Sequence, residues 1–174
     1  MLIQIIQGDI TKCTTDAIVN AANKNLLAGG GVCGAIHKAA GHKLELACKE
    51  IGGCETGQAV ITPAFKLPCN HVIQAVGPRW YDGSRDEAEL LKSTYRSVYE
   101  LVIDNNIQSV AIPAISTGIY RFPLELATQI AFDITGEYEE RLSGVKVVFV
   151  CFGSDTCKVY EDLYEPKTGL KNGG

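Results

Sequence analysis

The chain alternates between short apolar segments and longer segments with helical periodicity. The segment 145–151 is almost entirely apolar, which is typical of a strand buried on both faces of a sheet. The segment 86–105 instead places Leu91, Tyr95 and Val98 on one helical face. Strands that alternate with helices need crossover connections, and these place helices on both sides of the sheet. We therefore expect a three-layer α/β/α domain with a mixed, mostly parallel central sheet.

The same patterns predict the remaining elements. Strands are expected at residues 3–6, 17–19, 58–62, 72–76, 110–115 and 145–151. Helices are expected at residues 35–40, 44–51, 86–105 and 155–163, with another that has Pro123 as its first residue. Ser84 and Glu87 have the spacing of a capping box at the start of the helix 86–105. Ligands of such folds bind beyond the carboxyl ends of the strands, where the loops gather.

Length, charge and cysteine content limit the class of protein. We expect the 174 residues to form one domain over residues 1–165, with 166–174 as a flexible polar tail. The seven cysteines lack CxxC spacing, so no metal site is expected. The net charge of −4 and the absence of a polybasic run argue against nucleic-acid binding. No signal peptide or membrane-length apolar run is present, and we expect a cytoplasmic monomer with mostly buried, free thiols.

Two polar motifs follow the first two expected strands. Gly8-Asp9-Ile10-Thr11 offers a carboxylate that can accept a hydrogen bond from the amine of a purine. The alternative is a turn in which Asp9 bonds the nearby backbone. Val19-Asn20-Ala21-Ala22-Asn23 offers two amides that suit the hydroxyls of a ribose, although Asn is also a common loop residue after a strand.

Two further loops suit phosphate groups, which in this acidic chain must be held by backbone dipoles. Gly29-Gly30-Gly31-Val32-Cys33-Gly34 allows positive φ, which we expect at Gly30 and Gly31, and it leads into a helix N-terminus. Its spacing is neither that of a P-loop nor that of a dinucleotide-binding motif. Ala114-Ile115-Ser116-Thr117-Gly118-Ile119-Tyr120 offers N–H groups and hydroxyls ahead of a second helix. Together the loops can grip a diphosphate from opposite sides.

Phe152 and His37 are interpreted as single residues rather than as parts of a polar loop. Phe152 follows the last long strand and can stack on an adenine ring, a contact worth ~1–3 kcal/mol, although a core position is the commoner environment of a lone Phe. His37 is interpreted as a packing or helix-surface residue.

Taken together, these segments resemble the macrodomain family. The matching strings are Gly8-Asp9-Ile10-Thr11, Asp16-Ala17-Ile18-Val19-Asn20-Ala21-Ala22-Asn23, Gly29-Gly30-Gly31-Val32, Gly34-Ala35-Ile36-His37, Ala75-Val76-Gly77-Pro78 and Pro113-Ala114-Ile115-Ser116-Thr117-Gly118. They occur in the family's order over nearly the whole chain. The resemblance is to the branch that hydrolyses mono-ADP-ribose from acidic side chains and deacetylates O-acetyl-ADP-ribose.

The resemblance implies a set of site residues and the partners they bind. Asp9 would contact the adenine amine, Phe152 would stack on the ring, Asn23 would hold the distal ribose, and Asn23 and Cys33 would be catalytic. The ligand-binding set would be Asp9, Ile10, Ala22, Asn23, Gly30, Gly31, Val32, Cys33, Ser116, Thr117, Gly118, Ile119, Tyr120 and Phe152. The ligands would be ADP-ribose, ADP-ribosylated proteins or O-acetyl-ADP-ribose, with no metal and no cofactor.

Cys33 departs from the pattern of that branch, in which an Asp at this place helps to position the attacking water. A thiol with an ordinary pKa of about 8.5 is mostly protonated at neutral pH, whereas a carboxylate is an acceptor. A helix N-terminus can lower the pKa of a thiol, and the alternative is a small neutral residue. Three functions therefore stay open: an ester hydrolase, a non-catalytic ADP-ribose reader, and a weak phosphatase acting on ADP-ribose 1″-phosphate.

Overall fold

The computed structural model describes residues 1–164, and its centre is a six-stranded sheet. The strands are β1 (Leu2–Gln7), β2 (Ala17–Ala21), β3 (Ala59–Pro63), β4 (His71–Ala75), β5 (Ser109–Ile112) and β6 (Lys146–Cys151). They lie in the order β1-β6-β5-β2-β4-β3. Only the pair of β3 with β4 is antiparallel. The predicted mixed, mostly parallel sheet is confirmed.

Helices cover both faces of this sheet. They are α1 (Gly31–Ala40), α2 (His42–Ile51), α3 (Glu87–Asp104), α4 (Leu124–Glu137) and α5 (Ser154–Leu163). Successive side chains of a strand point to opposite faces. Ala17 and Val19 of β2 therefore pack in the cluster formed with α3, α4 and α5, while Ile18 packs in the cluster formed with α1 and α2. The predicted three-layer architecture is confirmed.

Most element boundaries lie within one or two residues of the predicted ones, and three differences affect the loops at the carboxyl edge of the sheet. α1 begins at Gly31 rather than at residue 35, so part of the glycine string forms its first turn. β5 ends at Ile112 rather than at residue 115, because Pro113 has no N–H to donate to the sheet. Pro123 directly precedes α4 instead of opening it.

The predicted capping box at the start of α3 is wrong. Ser84 donates its amide and hydroxyl to Asp82 instead. The carboxylate of Glu87, which is 1% exposed, accepts hydrogen bonds from the backbone N–H groups of Tyr81, Asp82, Gly83 and Arg85. Burial alone would raise the pKa of Glu87, but the amides outweigh it and hold the pKa at about 2. Glu87 therefore closes the loop 81–85 as an ionised group.

We expect this buried carboxylate to make stability pH-dependent under acidic conditions. Because the folded pKa of Glu87 is depressed from 4.5 to about 2, its contribution is complete above pH 4.5 and is lost as the pH falls toward 2. Glu87→Gln should lower the melting temperature at pH 7 and flatten the fall in stability between pH 4.5 and 2. Thermal unfolding across this range tests it. Glu50→Gln, at an exposed position on α2, should keep the wild-type pH profile.

All seven cysteines are free, and Cys33, Cys48, Cys69, Cys151 and Cys157 are buried, which confirms the prediction for most of them.

No helix in residues 1–164 has the length and apolar character to cross a membrane. The predicted tail 166–174 lies outside the described residues, and the domain boundary stays a prediction.

Candidate functional site

A cleft of about 540 Å³ lies along the carboxyl ends of the parallel strands, within the ~300–1,000 Å³ typical of small-molecule sites. Every residue predicted to bind a ligand lines it: Asp9, Ile10, Ala22, Asn23, Gly30, Gly31, Val32, Cys33, Ser116, Thr117, Gly118, Ile119, Tyr120 and Phe152. Among the described lining residues Asp9 is the only Asp, Glu, Lys, Arg or His. An anionic ligand here must therefore meet backbone N–H groups.

Asp9 follows β1 and uses one carboxylate oxygen to hold its own turn. Its Oδ1 accepts from the amide of Thr11 at 2.9 Å and from the hydroxyl of Thr11 at 2.6 Å, which caps the short 3₁₀ turn Ile10–Lys12. The hydroxyl and the amide of Thr11 lower the pKa of Asp9. The second oxygen, Oδ2, has no hydrogen-bond partner in the described chain. The turn interpretation is therefore correct for Oδ1, while Oδ2 is available to a ligand.

Asn23 follows β2 and is held by a two-way contact with the backbone of Leu27. Its Nδ2 donates to the Leu27 carbonyl at 2.8 Å, and its Oδ1 accepts from the Leu27 N–H at 3.0 Å. An amide nitrogen has two protons and an amide oxygen two lone pairs, so one of each stays free. The side chain thus enters the cleft with a fixed orientation.

Asn20, the first amide of the same motif, lies elsewhere. It pairs in register with Gln74 of β4, and both residues are 0% exposed. The Nδ2 of Asn20 donates to Gln74 Oε1 at 2.8 Å and contacts Cys33 Sγ at 3.6 Å. Because Asn20 is buried in the sheet under α1, it does not line the cleft, and the predicted ribose contact is wrong for this residue.

The Cys33 thiol links this buried amide to the Asn23 loop. Its Sγ accepts from Asn20 and lies 3.5 Å from the Leu27 carbonyl, to which it donates. That carbonyl is the one that also accepts from Asn23. Cys33 is 7% exposed and reaches the cleft at its edge. Both of these polar contacts, to Asn20 and to the Leu27 carbonyl, are directed away from the open cleft into the fold.

The glycine loop ends in the N-terminus of α1. Gly30 precedes the helix without a side-chain cap, and the first three N–H groups of a helix have no intrahelical partner. These amides and the helix dipole favour an anion. Gly31 has φ +58°, as predicted, whereas Gly30 has φ −84°, which any residue adopts, so the expectation for Gly30 is wrong. Gly34 approaches the carbonyl of Gly29 so closely that a Cβ would collide with it.

The loop after β5 faces the glycine loop across the cleft. Thr117, Arg121 and Phe122 donate their N–H groups within the loop, whereas those of Gly118, Ile119 and Tyr120 donate to no carbonyl in residues 1–164. Ser116 has φ +67°, an uncommon conformation for a residue with a side chain. The loop therefore has three backbone N–H groups that are free to donate to a ligand.

Gly77, which follows β4, supports this second loop. A Cβ at Gly77 would collide with the Oγ of Ser116 and the Cγ2 of Ile115. The buried Ser116 Oγ has no partner in the described chain. Gly77 lines the cleft but was not predicted as a site residue, although it lies in one of the matching strings. Gly77 matters because the absence of a side chain there lets the loop that contains Ser116 pack against the segment after β4.

One end of the cleft lies where β6 leads into α5. Phe152 is 83% exposed, so the core interpretation is wrong, and its ring lines the cleft with Val150 and Thr156. His37, in contrast, is buried and does not line the cleft, and burial lowers its pKa. The interpretation of His37 as a packing residue agrees with this position. Val150 and Thr156 gave no signal in the sequence, because neither belongs to a polar or glycine-rich string.

The fold and the cleft together define a class of protein. It consists of three-layer α/β domains that hold a ligand at the carboxyl edge of the sheet, between two loops rich in free amides. The family model of the macro domain matches residues 19–131. The chain belongs to the macro domain family, as the sequence motifs predicted.

Relatives and solved structures agree with this assignment. A macro domain-containing protein of Mesorhizobium japonicum is 52% identical over 159 residues, which are 91% of this chain and 90% of that protein. An O-acetyl-ADP-ribose deacetylase of Salmonella gallinarum is 49% identical over 166 residues, 92% of this chain and 93% of that protein. An Oceanobacillus iheyensis macrodomain with ADP is 40% identical with a TM-score of 0.87, covering 91% of this chain and 87% of that one. A Trypanosoma brucei macrodomain in complex with ADP-ribose is 38% identical with a TM-score of 0.86, and the match covers 92% of this chain and 68% of that one.

Proposed function

We propose that this protein binds ADP-ribose in the cleft and hydrolyses ester-linked ADP-ribose, with O-acetyl-ADP-ribose and mono-ADP-ribosylated acidic side chains as substrates. The observation that carries the proposal is the pair of amide-rich loops that face one another across a cleft in which no described lining residue is cationic. Such a site suits a diphosphate that carries an uncharged group at each end. The names of the Salmonella and Trypanosoma relatives support the same ligand.

The lining residues indicate how ADP-ribose would be oriented along the cleft. The Gly8 N–H donates to the Cys151 carbonyl, which brings Asp9 and Phe152 to the same end of the cleft. The free oxygen of Asp9 and the exposed ring of Phe152 suit an adenine, which offers an amine and a flat face. The diphosphate would lie between the N-terminus of α1 and the amides of Gly118 and Ile119. The distal ribose would then reach Asn23, whose fixed amide can both donate to and accept from its hydroxyls.

Hydrolysis in this arrangement needs a water at the ester carbon. Water adds to the ester carbonyl, the bond from the acyl carbon to the ribose oxygen breaks, and the ribose oxygen takes a proton. The products are ADP-ribose and the free acid. Apart from Asp9 at the adenine end, no carboxylate or imidazole lines the cleft among the described residues. A phosphate oxygen of the substrate is therefore the proposed proton acceptor, and Asn23 orients the ribose.

A non-catalytic reader of ADP-ribose is the second candidate, and Cys33 favours it. The thiol proton is directed to the Leu27 carbonyl, and the sulfur accepts from Asn20, so neither is directed to a water in the cleft. A positioned acid–base group contributes ~10²–10⁴ in rate, and its loss can reduce turnover to a negligible level. Incubation with an auto-ADP-ribosylated acceptor and with O-acetyl-ADP-ribose separates the two functions. Release of ADP-ribose supports the hydrolase, and binding without release supports the reader.

Asp9→Ala should weaken ADP-ribose binding by ~1–3 kcal/mol, because the adenine amine loses its acceptor. Asp9→Asn is the matched variant: its side-chain oxygen can still cap the Ile10–Lys12 turn, while an NH₂ group replaces the free Oδ2. We expect a similar loss of affinity in calorimetric titration, with the melting temperature close to that of the wild type. Unchanged affinity in both variants would remove Asp9 from the site.

A further inference from the structure

A second cavity, of about 360 Å³, opens beside the distal-ribose end of the cleft. It is lined by Lys24, Thr56, Gly77, Pro78, Arg79, Tyr81, Arg85, Glu87, Leu90 and Tyr120. Gly77 and Tyr120 also line the main cleft, so the two cavities adjoin. The Trp80 N–H donates to the Tyr120 carbonyl at 2.8 Å, which ties the segment after β4 to the second loop of the cleft. We call this space the basic cavity.

The basic cavity gathers cations in a chain whose net charge is −4. Lys24, Arg79 and Arg85 line it, and Glu87 is the only carboxylate among its described lining residues. The oxygens of Glu87 are already occupied by four backbone N–H groups. Lys24 lies 3.3 Å from Glu55, in a pair that is largely exposed to solvent. The described lining side chains therefore carry three positive charges against the one negative charge of Glu87.

The two arginines lie near the Tyr81 ring and have no ion-pair partner in the described chain. The guanidinium of Arg85 lies 4.1 Å from the centre of the Tyr81 ring, and that of Arg79 lies 6.0 Å from it. Neither forms an ion pair within residues 1–164. Asp82 attracts Arg85 through space, but its carboxylate accepts from Ser84 and does not line the cavity. The guanidinium donors therefore stay available for a bidentate contact with a carboxylate.

We propose that the basic cavity is a subsite for the polypeptide that carries the ADP-ribose, and that it selects acidic residues flanking the modified side chain. The inference rests on the proposed function, because it takes the distal ribose to lie at Asn23, Gly77 and Tyr120. The acyl group of an ester substrate leaves the ribose at that end, so a modified protein must pass the mouth of this cavity. Glu and Asp next to the modified residue would meet Arg79, Arg85 and Lys24.

The cavity fits an acidic peptide better than a nucleic acid. Single strands are held by aromatic side chains on which bases stack, together with cations along the backbone. Two aromatic side chains of the described chain line the cavity: the exposed Tyr81, over which Arg85 lies, and the half-buried Tyr120. Carboxylates, in contrast, need only the guanidinium forks that the cavity presents.

The test compares two mono-ADP-ribosylated peptides with the same modified glutamate, one flanked by Glu and Asp and the other by Gln and Asn. Wild-type enzyme should show a KM ~10-fold lower for the acidic peptide. Arg79→Ala/Arg85→Ala should remove this preference, and it should leave turnover of O-acetyl-ADP-ribose, which carries no peptide, within about 2-fold. Lys146→Ala, which removes one cation at the amino end of β6, should keep the preference.

Equal KM values for the two peptides in the wild type, or an equal loss for all substrates in the double variant, overturn the subsite. If no substrate is hydrolysed, the proposed function fails, and the dissociation constants of the same two peptides still decide the subsite. A preference for acidic flanks that disappears in the double variant supports it in either case. An ADP-ribosylated oligonucleotide that depends on the two arginines more strongly than the acidic peptide contradicts it.

Discussion

Gly31→Val should abolish ADP-ribose binding, with an affinity loss of at least ~100-fold, and should leave the fold intact. Gly31 has φ +58°, and a β-branched residue in that conformation costs of order 1–3 kcal/mol. No atom lies within 4 Å of a Cβ built at Gly31, so the effect is one of backbone conformation and not of crowding. The first turn of α1 would rotate its N–H groups away from the proposed phosphate position, and no cationic side chain among the described lining residues could take over that contact.

The matched control is Gly31→Asn, because Asn adopts positive φ more readily than other residues that carry a side chain. Calorimetric titration should show near-normal affinity for Asn and no measurable binding for Val, with similar far-UV spectra. Normal binding by Gly31→Val would show that this loop does not hold the phosphate. Gly30→Val tests a different property: a Cβ at Gly30 would lie 3.4 Å from Ile119 across the cleft, so any loss there comes from filled space.

The strands, the helices and the location of the cleft could be predicted because they follow from local patterns. The buried strand Lys146–Cys151 is apolar after its first residue, and polar residues such as Asp9 and Asn23 follow the strands closely. Parallel strands then bring those residues to one edge of the sheet. The residues of the predicted ligand-binding set line a single cleft for this reason.

The details that could not be predicted depend on contacts between segments distant in sequence. Asn20 and Asn23 belong to one motif, but the alternation of the strand buries Asn20 beside Gln74 and leaves only Asn23 in the cleft. The role of Gly77 depends on the approach of Ser116 from the loop after β5. Glu87 has capping-box spacing, yet it bonds the loop 81–85, because burial beneath that loop offers it four N–H groups.

The surroundings of Cys33 indicate which contacts an Asp side chain would make at this position. Asn20 already offers an N–H to this side chain from below, and the N-terminus of α1 favours a negative charge. The Leu27 carbonyl, which now accepts from the thiol, would repel a carboxylate. An Asp at this position should therefore keep the contact with Asn20 and turn its second oxygen toward the cleft. That oxygen could accept a proton from an attacking water.

We therefore expect Cys33→Asp to raise the rate of ester-linked ADP-ribose release by ~10-fold or more, with ADP-ribose affinity changed by less than about 3-fold. Tenfold corresponds to ~1.4 kcal/mol of transition-state stabilisation, which is modest for a positioned acid–base group. Cys33→Asn, with the same shape and no charge, should show no gain. Cys33→Ala should stay near the wild-type rate if the thiol only fills space, and should lose activity if its link between Asn20 and the Leu27 carbonyl orients Asn23. Single-turnover assays with O-acetyl-ADP-ribose and an ADP-ribosylated acceptor measure these rates. If the wild type and Cys33→Asp both bind ADP-ribose and neither releases it from any ester, the hydrolase proposal fails and the protein is a reader.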